Sequence, residues 1–293
     1  MRVIRAEQLT RAGEASHGEL AENCIFGARC EIAGVVMELR TDLHEVARLF
    51  GLRYADHPAS REPDFCYYVA SSRNGYSFWS DHAPSWRWTQ GTLPPNAIAF
   101  LADAVMLSAV IRFDPDMASI HAAALEYRGT AIAIAGHSSA NKIAALMACV
   151  RRDMHVYSDE RAIVRGNIVY PFLRRCSVRT AGPRLLLADH QTLPDVPELS
   201  LKTCFGAAAI ADPRPLGALF VLAGSGNSAS LERIDAASAL PAITRWFDAR
   251  GDLMDRVTRA IALLRGLHCF RLILGSPDAT ADAIGNAILS LRA

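Results

Sequence analysis

A short loop between a predicted strand and a predicted helix constrains the fold of this chain more than any other feature. Thr130–Ala135 is a run of small and branched apolar residues that predicts a buried strand, and Lys142–Val150 has the apolar spacing of a helix. Only Gly136–Asn141 separates them. A strand that passes into a helix through so short a loop is the building unit of α/β sheets, so we expect an α/β core.

The same loop has the length of a phosphate-binding loop but departs from its pattern at two positions. The pattern is Gly, four residues, Gly-Lys, then Ser or Thr, and Gly136 and Lys142 match it. Asn141 replaces the second glycine, although Asn is the next best residue at positive φ. Ile143 replaces the hydroxyl that would bind Mg²⁺ and has no oxygen to offer. The sequence therefore predicts a damaged nucleotide site.

Composition and charge exclude several classes of function. The 31 Lys and Arg residues balance 30 Asp and Glu residues, so a net charge of +1 gives no field for nucleic acid or anionic lipid. No uncharged apolar run is long enough to span a membrane, and the N-terminus lacks the apolar core of a signal peptide. The 7 cysteines show no zinc-binding or disulfide spacing. We expect a cytoplasmic protein without a metal site and without nucleic-acid or membrane partners.

The pattern of elements changes near residue 95 and predicts two domains. Residues 1–95 alternate strand-like runs with polar turns, which is typical of a small α+β lobe. Residues 96–293 alternate strands with helices, which is typical of an α/β domain. Near the boundary we predict a helix over Ala97–Phe113 and a single strand over Ser119–Tyr127.

Three polar positions near the loop predict a site for phosphoryl chemistry. His121 lies on the strand before the loop, and Lys142 would neutralise phosphate oxygens. Asp159, with Glu160 beside it, follows a short apolar strand, where an acidic residue can meet a metal or an attacking hydroxyl. Each has a structural alternative, because His121 could be a hydrogen-bonded core residue and Asp159-Glu160 a solvated turn. The order His, loop, Lys, Asp argues jointly for a site.

This order resembles the HPr kinase/phosphorylase family over residues 97–293. The resemblance rests on Ile120-His121, Gly129, Ala131–Gly136, Lys142 and Ser158-Asp159-Glu160. Tyr170–Phe172, Pro215–Leu222 and Phe270–Leu274 also look like the smaller HPr-kinase-related proteins. Those relatives are found beside modified-peptide pathways, where lasso-peptide precursor kinases phosphorylate a precursor serine.

The resemblance implies a phosphoenolpyruvate-carboxykinase-like P-loop core, with the small N-terminal α+β lobe added to it. It implies that Asp159 acts as base or metal contact and that His121 lies near the phosphoryl acceptor. Glu160 stands for the second Asp of the family and keeps its charge on a longer arm. The implied nucleotide-binding residues are Gly136, Ser138, Ser139, Asn141 and Lys142.

Two functions stay open at this point. The loop substitutions favour a catalytically degenerate serine-kinase-like protein that needs no cofactor. It would bind a precursor peptide and assist its modification by a second enzyme in a ribosomal peptide natural-product pathway. The alternative is an active serine kinase of a peptide or small protein that uses ATP and Mg²⁺. A hydrogen bond to a charged group contributes about 1.5–3 kcal/mol, so both substitutions together could weaken nucleotide binding roughly 10²- to 10⁴-fold. A homo-oligomer is compatible with both functions.

Two groups of side chains are candidates for peptide binding. Arg174, Arg175 and Arg179 gather where a kinase would receive its substrate and could pair with an acidic peptide, although a solvated basic loop explains them equally well. Trp86 and Trp88 alternate along a predicted strand and would share one face. Core packing is the favoured interpretation of these two rings, and a peptide-binding surface is the alternative.

Overall fold

The chain folds into two compact units of mixed α/β structure. The computed structural model describes residues 10–11, 17–89, 91–136, 139–173, 176–177, 198–199, 206, 210–244 and 247–291, with the backbone alone for residues 10–11, 17, 19, 139–144, 176–177 and 198–199. The units are Met1–Pro115 and Asp116–Ala293. The sequence led us to expect the division after residue 95, whereas the units divide after Pro115 because the intervening helix packs within the N-terminal unit.

In its described residues, the N-terminal unit has a mixed sheet of 6 strands in the order β1-β6-β5-β4-β3-β2. The strands are β1 (Thr10–Arg11), β2 (Phe26–Ile32), β3 (Val35–Thr41), β4 (Phe65–Ser72), β5 (Gly75–Ser80) and β6 (Ala83–Trp88). The helices are α1 (His17–Glu22), α2 (His44–Arg53) and α3 (Pro95–Phe113). β3 and β4 are parallel because α2 carries the chain back between them, and the other strand pairs are antiparallel.

Helix α3 is almost entirely apolar and is buried in this unit. Among the described residues it is the one helix long and apolar enough to cross a membrane by length and composition, with a mean hydropathy of 1.6, yet 61% of it is buried. It packs against α2, β4, β5 and β6. The polar exception on its buried face is Asp103, which is 1% exposed.

Asp103 holds α2 to α3 through a buried charged group. Its Oδ2 lies 3.1 Å from Nη2 of Arg53, and the Tyr54 hydroxyl donates to its Oδ1. The Arg53 guanidinium also lies over the Phe100 ring, with 5.9 Å from Cζ to the ring centroid. Charges in so apolar a setting are tolerated only when they are paired and hydrogen-bonded, so this cluster fixes how the two helices meet.

We predict that Asp103→Ala lowers the free energy of unfolding of the N-terminal unit by about 3–5 kcal/mol, because it takes away the carboxylate that faces a buried guanidinium. Urea unfolding followed by tryptophan fluorescence measures the change. The matched control is Glu45→Ala, which breaks the exposed pair with Arg48 (2.6 Å) and should lower the free energy of unfolding far less, because solvent screens an exposed ion pair. Equal effects of the two substitutions would contradict the prediction.

The C-terminal unit is a three-layer α/β arrangement. Its strands are β7 (Met117–Ile120), β8 (Ala122–Tyr127), β9 (Thr130–Ala135), β10 (His155–Ser158), β11 (Ala162–Arg165), β12 (Ile168–Tyr170), β13 (Cys176–Ser177), β14 (Glu198–Leu199), β15 (Arg214–Ser225), β16 (Ser230–Ile234), β17 (Asp248–Ala249) and β18 (His268–Leu274). Its helices are α4 (Ser139–Val150), α5 (Ala236–Thr244), α6 (Leu253–Arg265) and α7 (Pro277–Ser290). Helices α4 and α7 pack together, as do α5 and α6, and each pair contributes to a different core cluster.

Alternation along β9 explains the two core clusters. Ala131, Ala133 and Ala135 belong to the cluster that contains residues of α5 and α6, whereas Ile132 and Ile134 belong to the cluster that contains residues of α4 and α7. Side chains on a strand point alternately to opposite faces, so a strand buried on both faces is apolar throughout. The apolar run that predicted β9 is therefore the signature of a central strand.

Two sets of strands share the long strand β15. Its first residues pair antiparallel with β12, in the series β15-β12-β11-β7-β17. Its remaining residues pair in parallel with β9 on one side and β18 on the other, in the series β10-β8-β9-β15-β18-β16. The predicted single strand over Ser119–Tyr127 is consequently two strands, β7 in the first series and β8 in the second.

Candidate functional site

His121 lies where the chain passes from one set of strands to the other. β7 pairs with β11, ending with Ile120 opposite Ala162. β8 pairs with β9, beginning with Ala122 opposite Ala135. His121 stands between the two strands and is half-buried. His121 therefore lies at the junction of the two hydrogen-bond ladders, where the chain changes its pairing partner.

Asp159, Glu160 and Arg161 make a second crossing beside the first. They connect β10, which pairs with β8, to β11, which pairs with β7. The buried Ser158 shapes this turn, because its Oγ accepts the backbone N–H of Arg161 at 3.0 Å and that of Glu160 at 3.4 Å. Asp159 is 7% exposed, whereas Glu160 and Arg161 are half-buried.

The end of β9 brings Gly136, the first residue of the predicted phosphate loop, to the same edge. β9 and β10 run in the same direction, because each pairs antiparallel with β8. Gly136, directly after β9, and Asp159, directly after β10, therefore follow the carboxyl ends of their strands, on either side of the start of β8. In open α/β sheets ligands bind at the carboxyl ends of the strands, where the topology switches. We call His121, Gly136 and Asp159–Arg161 the seam site.

The seam site combines a buried carboxylate with an imidazole and a guanidinium. Arg161 Nη1 donates to the Ser119 hydroxyl at 3.4 Å, and Ser119 is fully buried in β7. A carboxylate can accept the proton of a substrate hydroxyl, and a guanidinium or an imidazole can donate to an oxyanion. The arrangement therefore has groups of the kind that handle a hydroxyl or a phosphate.

The sequence alone did not identify Arg161 and Ser119 as residues of the site. Arg161 follows two acidic residues, so it looked like part of a solvated charged turn. Its position becomes informative only when the pairing of Ala162 with Ile120 is known, since that register places residue 161 opposite residue 121. The available signal was a basic residue that follows two acidic residues directly before an apolar strand.

Gly136 has a packing role that the motif did not reveal. A Cβ placed on this residue would lie 2.6 Å from Cβ of Leu222 on β15, the parallel neighbour of β9. Such a contact is far inside van der Waals distance. The close approach of this backbone to β15 therefore requires glycine whether or not the loop binds phosphate.

We predict that Gly136→Ala destabilises the C-terminal unit by about 1–3 kcal/mol, the usual cost of overpacking a core. Thermal and urea unfolding give the change, and Gly18→Ala is the matched control because nothing lies within 4 Å of its added Cβ. Adding Leu222→Ala should relieve part of the cost of Gly136→Ala in a double-mutant cycle. Full stability of the single Gly136→Ala variant would rule out the packing requirement.

Helix α4 begins earlier than the sequence suggested. It starts at Ser139, so Asn141, Lys142 and Ile143 lie in its first turns. Asn141 is therefore helical, whereas we had considered it for a left-handed position. No second glycine interrupts Ser139–Ala145, and residues of ordinary helix propensity let the helix extend toward β9.

The donor set does not fit Mg²⁺ at the usual position. Ile143 follows Lys142 in α4 and carries no oxygen. Among the residues that the structure describes, no group of 3 or more His, Cys, Asp and Glu side chains could hold a metal ion.

The remaining predicted site residues are Ser138 of the loop and the candidates for peptide binding. Ser138 of the loop and the three arginines Arg174, Arg175 and Arg179 lie outside the described residues. Trp88 is 4% exposed and its indole N–H donates to Gly91 O at 3.0 Å, so core packing accounts for it. Trp86 lies opposite Phe78 and keeps a partly exposed side chain.

Comparison with known proteins gives a distant structural likeness. No protein-family model matches the chain, and no curated protein matches it. The structure of the Hpr(Ser) kinase/phosphatase from Coxiella burnetii is similar, with 11% sequence identity and a TM-score of 0.31. The match covers 60% of this chain and 99% of that chain. This amounts to a distant structural relationship and nothing finer.

Proposed function

We propose that the C-terminal unit is a catalytically degenerate serine-kinase-like domain that binds a peptide at the seam site. One observation carries the proposal. His121, Gly136 and Asp159 meet at one edge of the sheet, while α4, which starts beside that edge, has Ile143 where a kinase needs a metal ligand. The groups that could meet a substrate hydroxyl are retained, and a group that would hold the metal of the nucleotide is not.

The nature of the ligand follows from the groups at the seam site and from the sequence resemblance. Asp159 and His121 can hydrogen-bond to a serine or threonine hydroxyl, and Arg161 can bind an acidic neighbour of that residue. The resemblance to small HPr-kinase-related proteins of modified-peptide pathways points to a precursor peptide. In this proposal the protein holds the peptide for a second, modifying enzyme.

The second candidate is an active ATP-dependent serine kinase. The observation that favours it is the burial of Asp159 at the edge where α4 starts, because a buried carboxylate beside the phosphate loop is the arrangement that a catalytic base needs. This function requires another oxygen ligand for Mg²⁺, from Ser138, Ser139 or the substrate. The two candidates differ in whether the protein binds Mg-ATP.

We predict that the unaltered protein binds Mg-ATP more weakly than about 1 mM, because the metal ligand and the loop glycine are both replaced. The double substitution Asn141→Gly with Ile143→Ser restores both groups and should strengthen binding roughly 10²- to 10⁴-fold, the loss expected from the two replacements. Isothermal titration calorimetry measures both affinities.

The control for this experiment is Lys142→Ala in the restored background, which should remove the gain. Micromolar binding of Mg-ATP by the unaltered protein would overturn the proposal of a catalytically degenerate domain and favour the active kinase. Incubation of the protein with Mg-ATP and the peptide, followed by mass spectrometry, then shows whether phosphate is transferred.

We predict that Arg174→Ala with Arg175→Ala weakens binding of an acidic precursor peptide and flattens its salt dependence, because the attraction between arginines and an acidic peptide is screened by ions and is lost with the arginines. The peptide is the cognate precursor, identified from neighbouring reading frames, and fluorescence anisotropy at two salt concentrations measures the affinity. Arg271→Ala, an exposed arginine of β18, is the control. Absence of binding near 1 mM, or about −4 kcal/mol, would reject peptide binding.

A further inference from the structure

A cleft in the C-terminal unit lies at the sheet edge opposite the seam site. Its volume is about 500 Å³, within the range of small-ligand pockets. It is bounded by the end of β16, the start of α5, the end of α6 and the start of β18, and its lining residues include Arg233, Asp235, Leu264, Arg265, Leu267 and His268. β18 is parallel to β15 and β9, so its start is at the amino end of these strands, whereas Gly136 follows their carboxyl end.

Two arginines and a histidine give the cleft its hydrogen-bond donors. Nη2 of Arg233 lies 3.2 Å from Nδ1 of His268. A guanidinium can only donate, so Nδ1 accepts, and the proton of the neutral ring is on Nε2. The remaining N–H groups of Arg233 and the Nε2–H of His268 are then donors at neighbouring positions. Arg265, at the last position of α6, adds a second guanidinium to the lining.

The charges of these arginines are not balanced by nearby carboxylates. Within the described ranges, no carboxylate lies at ion-pair distance from Arg233 or Arg265. Asp235 also lines the cleft, but its Oδ1 accepts the backbone N–H of Ser238 at 2.7 Å and caps α5. Hydrogen bonds from that backbone hold the pKa of Asp235 below its usual value. The lining therefore has a net positive charge and a carboxylate that is already engaged by the helix.

The rest of the lining is apolar. Ile234, Leu264 and Leu267 lie among the charged side chains, and Leu264 is 1% exposed. A bare inorganic anion would leave these apolar groups without a partner. A ligand with an apolar body and an anionic head would contact both parts of the lining, since hydrophobic contact and charge-assisted hydrogen bonds come from different parts of the same molecule.

We propose that this cleft binds a small amphipathic anion, with a carboxylate or phosphate head on Arg233 and Arg265 and an apolar body on the partly exposed side chains of Ile234 and Leu267. The inference is independent of the proposed function, because none of these residues belongs to the seam site. The shared chemistry is an oxyanion on an apolar group, and separate probes distinguish a carboxylate from a phosphate.

The test uses the full chain with phenyl phosphate and phenylacetate as probes and benzyl alcohol as the neutral analogue. Saturation-transfer NMR and calorimetry give the affinities. We expect one or both anions to bind and benzyl alcohol to bind at least about tenfold more weakly, since the charge-assisted hydrogen bonds are lost. Arg233→Gln and Arg265→Gln should each weaken anion binding about fivefold or more.

Two control variants distinguish anion binding in this cleft from anion binding at other basic parts of the surface. Arg271→Gln removes an arginine of β18 that pairs with Glu232 and does not line the cleft, and it should leave the affinity unchanged. Lys142→Gln alters the phosphate-loop segment and should also leave it unchanged. Circular dichroism confirms that each variant is folded. The proposal is overturned if neither anion binds at about 10 mM, if both glutamine variants bind as the wild type does, or if only Lys142→Gln abolishes binding.

Discussion

The structure of the C-terminal unit depends on the pairing of β15 with two sets of strands. Arg214 and Pro215 pair with β12, and the strand then continues between β9 and β18. Since one strand joins both sets, the chain must cross between them elsewhere, and it does so at His121 and at residues 159–161. The crossings fall side by side because β8 and β10 pair, and β7 and β11 pair. The seam site is therefore a consequence of strand order rather than of any local motif.

Local patterns predicted the elements of this unit well, because each is encoded over a few neighbouring residues. The apolar run that predicted β9 and the apolar spacing that predicted most of α4 are examples. The change of partner inside Ser119–Tyr127 was not predictable, since an apolar stretch carries no record of which strand it will pair with. Helix α3 was likewise predicted from its apolar residues, but those residues do not specify which unit the helix packs in.

Gly136 and Asn141 show why the candidate site was harder to predict than the fold. A glycine is selected both by a phosphate cradle and by close packing, and the sequence cannot distinguish the two. Here the approach of Leu222 supplies a packing reason. Asn141 could occupy a left-handed position or a helix, and its neighbours, which are compatible with a helix, decide for the helix. A motif match is therefore weaker evidence when each matched residue also has a structural use.

The two halves of the candidate site differ in how they are held. His121 and Asp159–Arg161 are flanked on both sides by strands that are paired in the sheet, and the Ser158 hydroxyl fixes the second crossing. The paired strands hold these residues in position, so we expect substitutions elsewhere in the chain to leave their arrangement intact. In the proposed function the nucleotide half would instead rely on single residues of the loop, and Ile143 would remove a metal ligand without disturbing any strand. The proposed loss of nucleotide binding is therefore compatible with an intact arrangement at His121 and Asp159–Arg161, which is the division of roles that the proposed function requires.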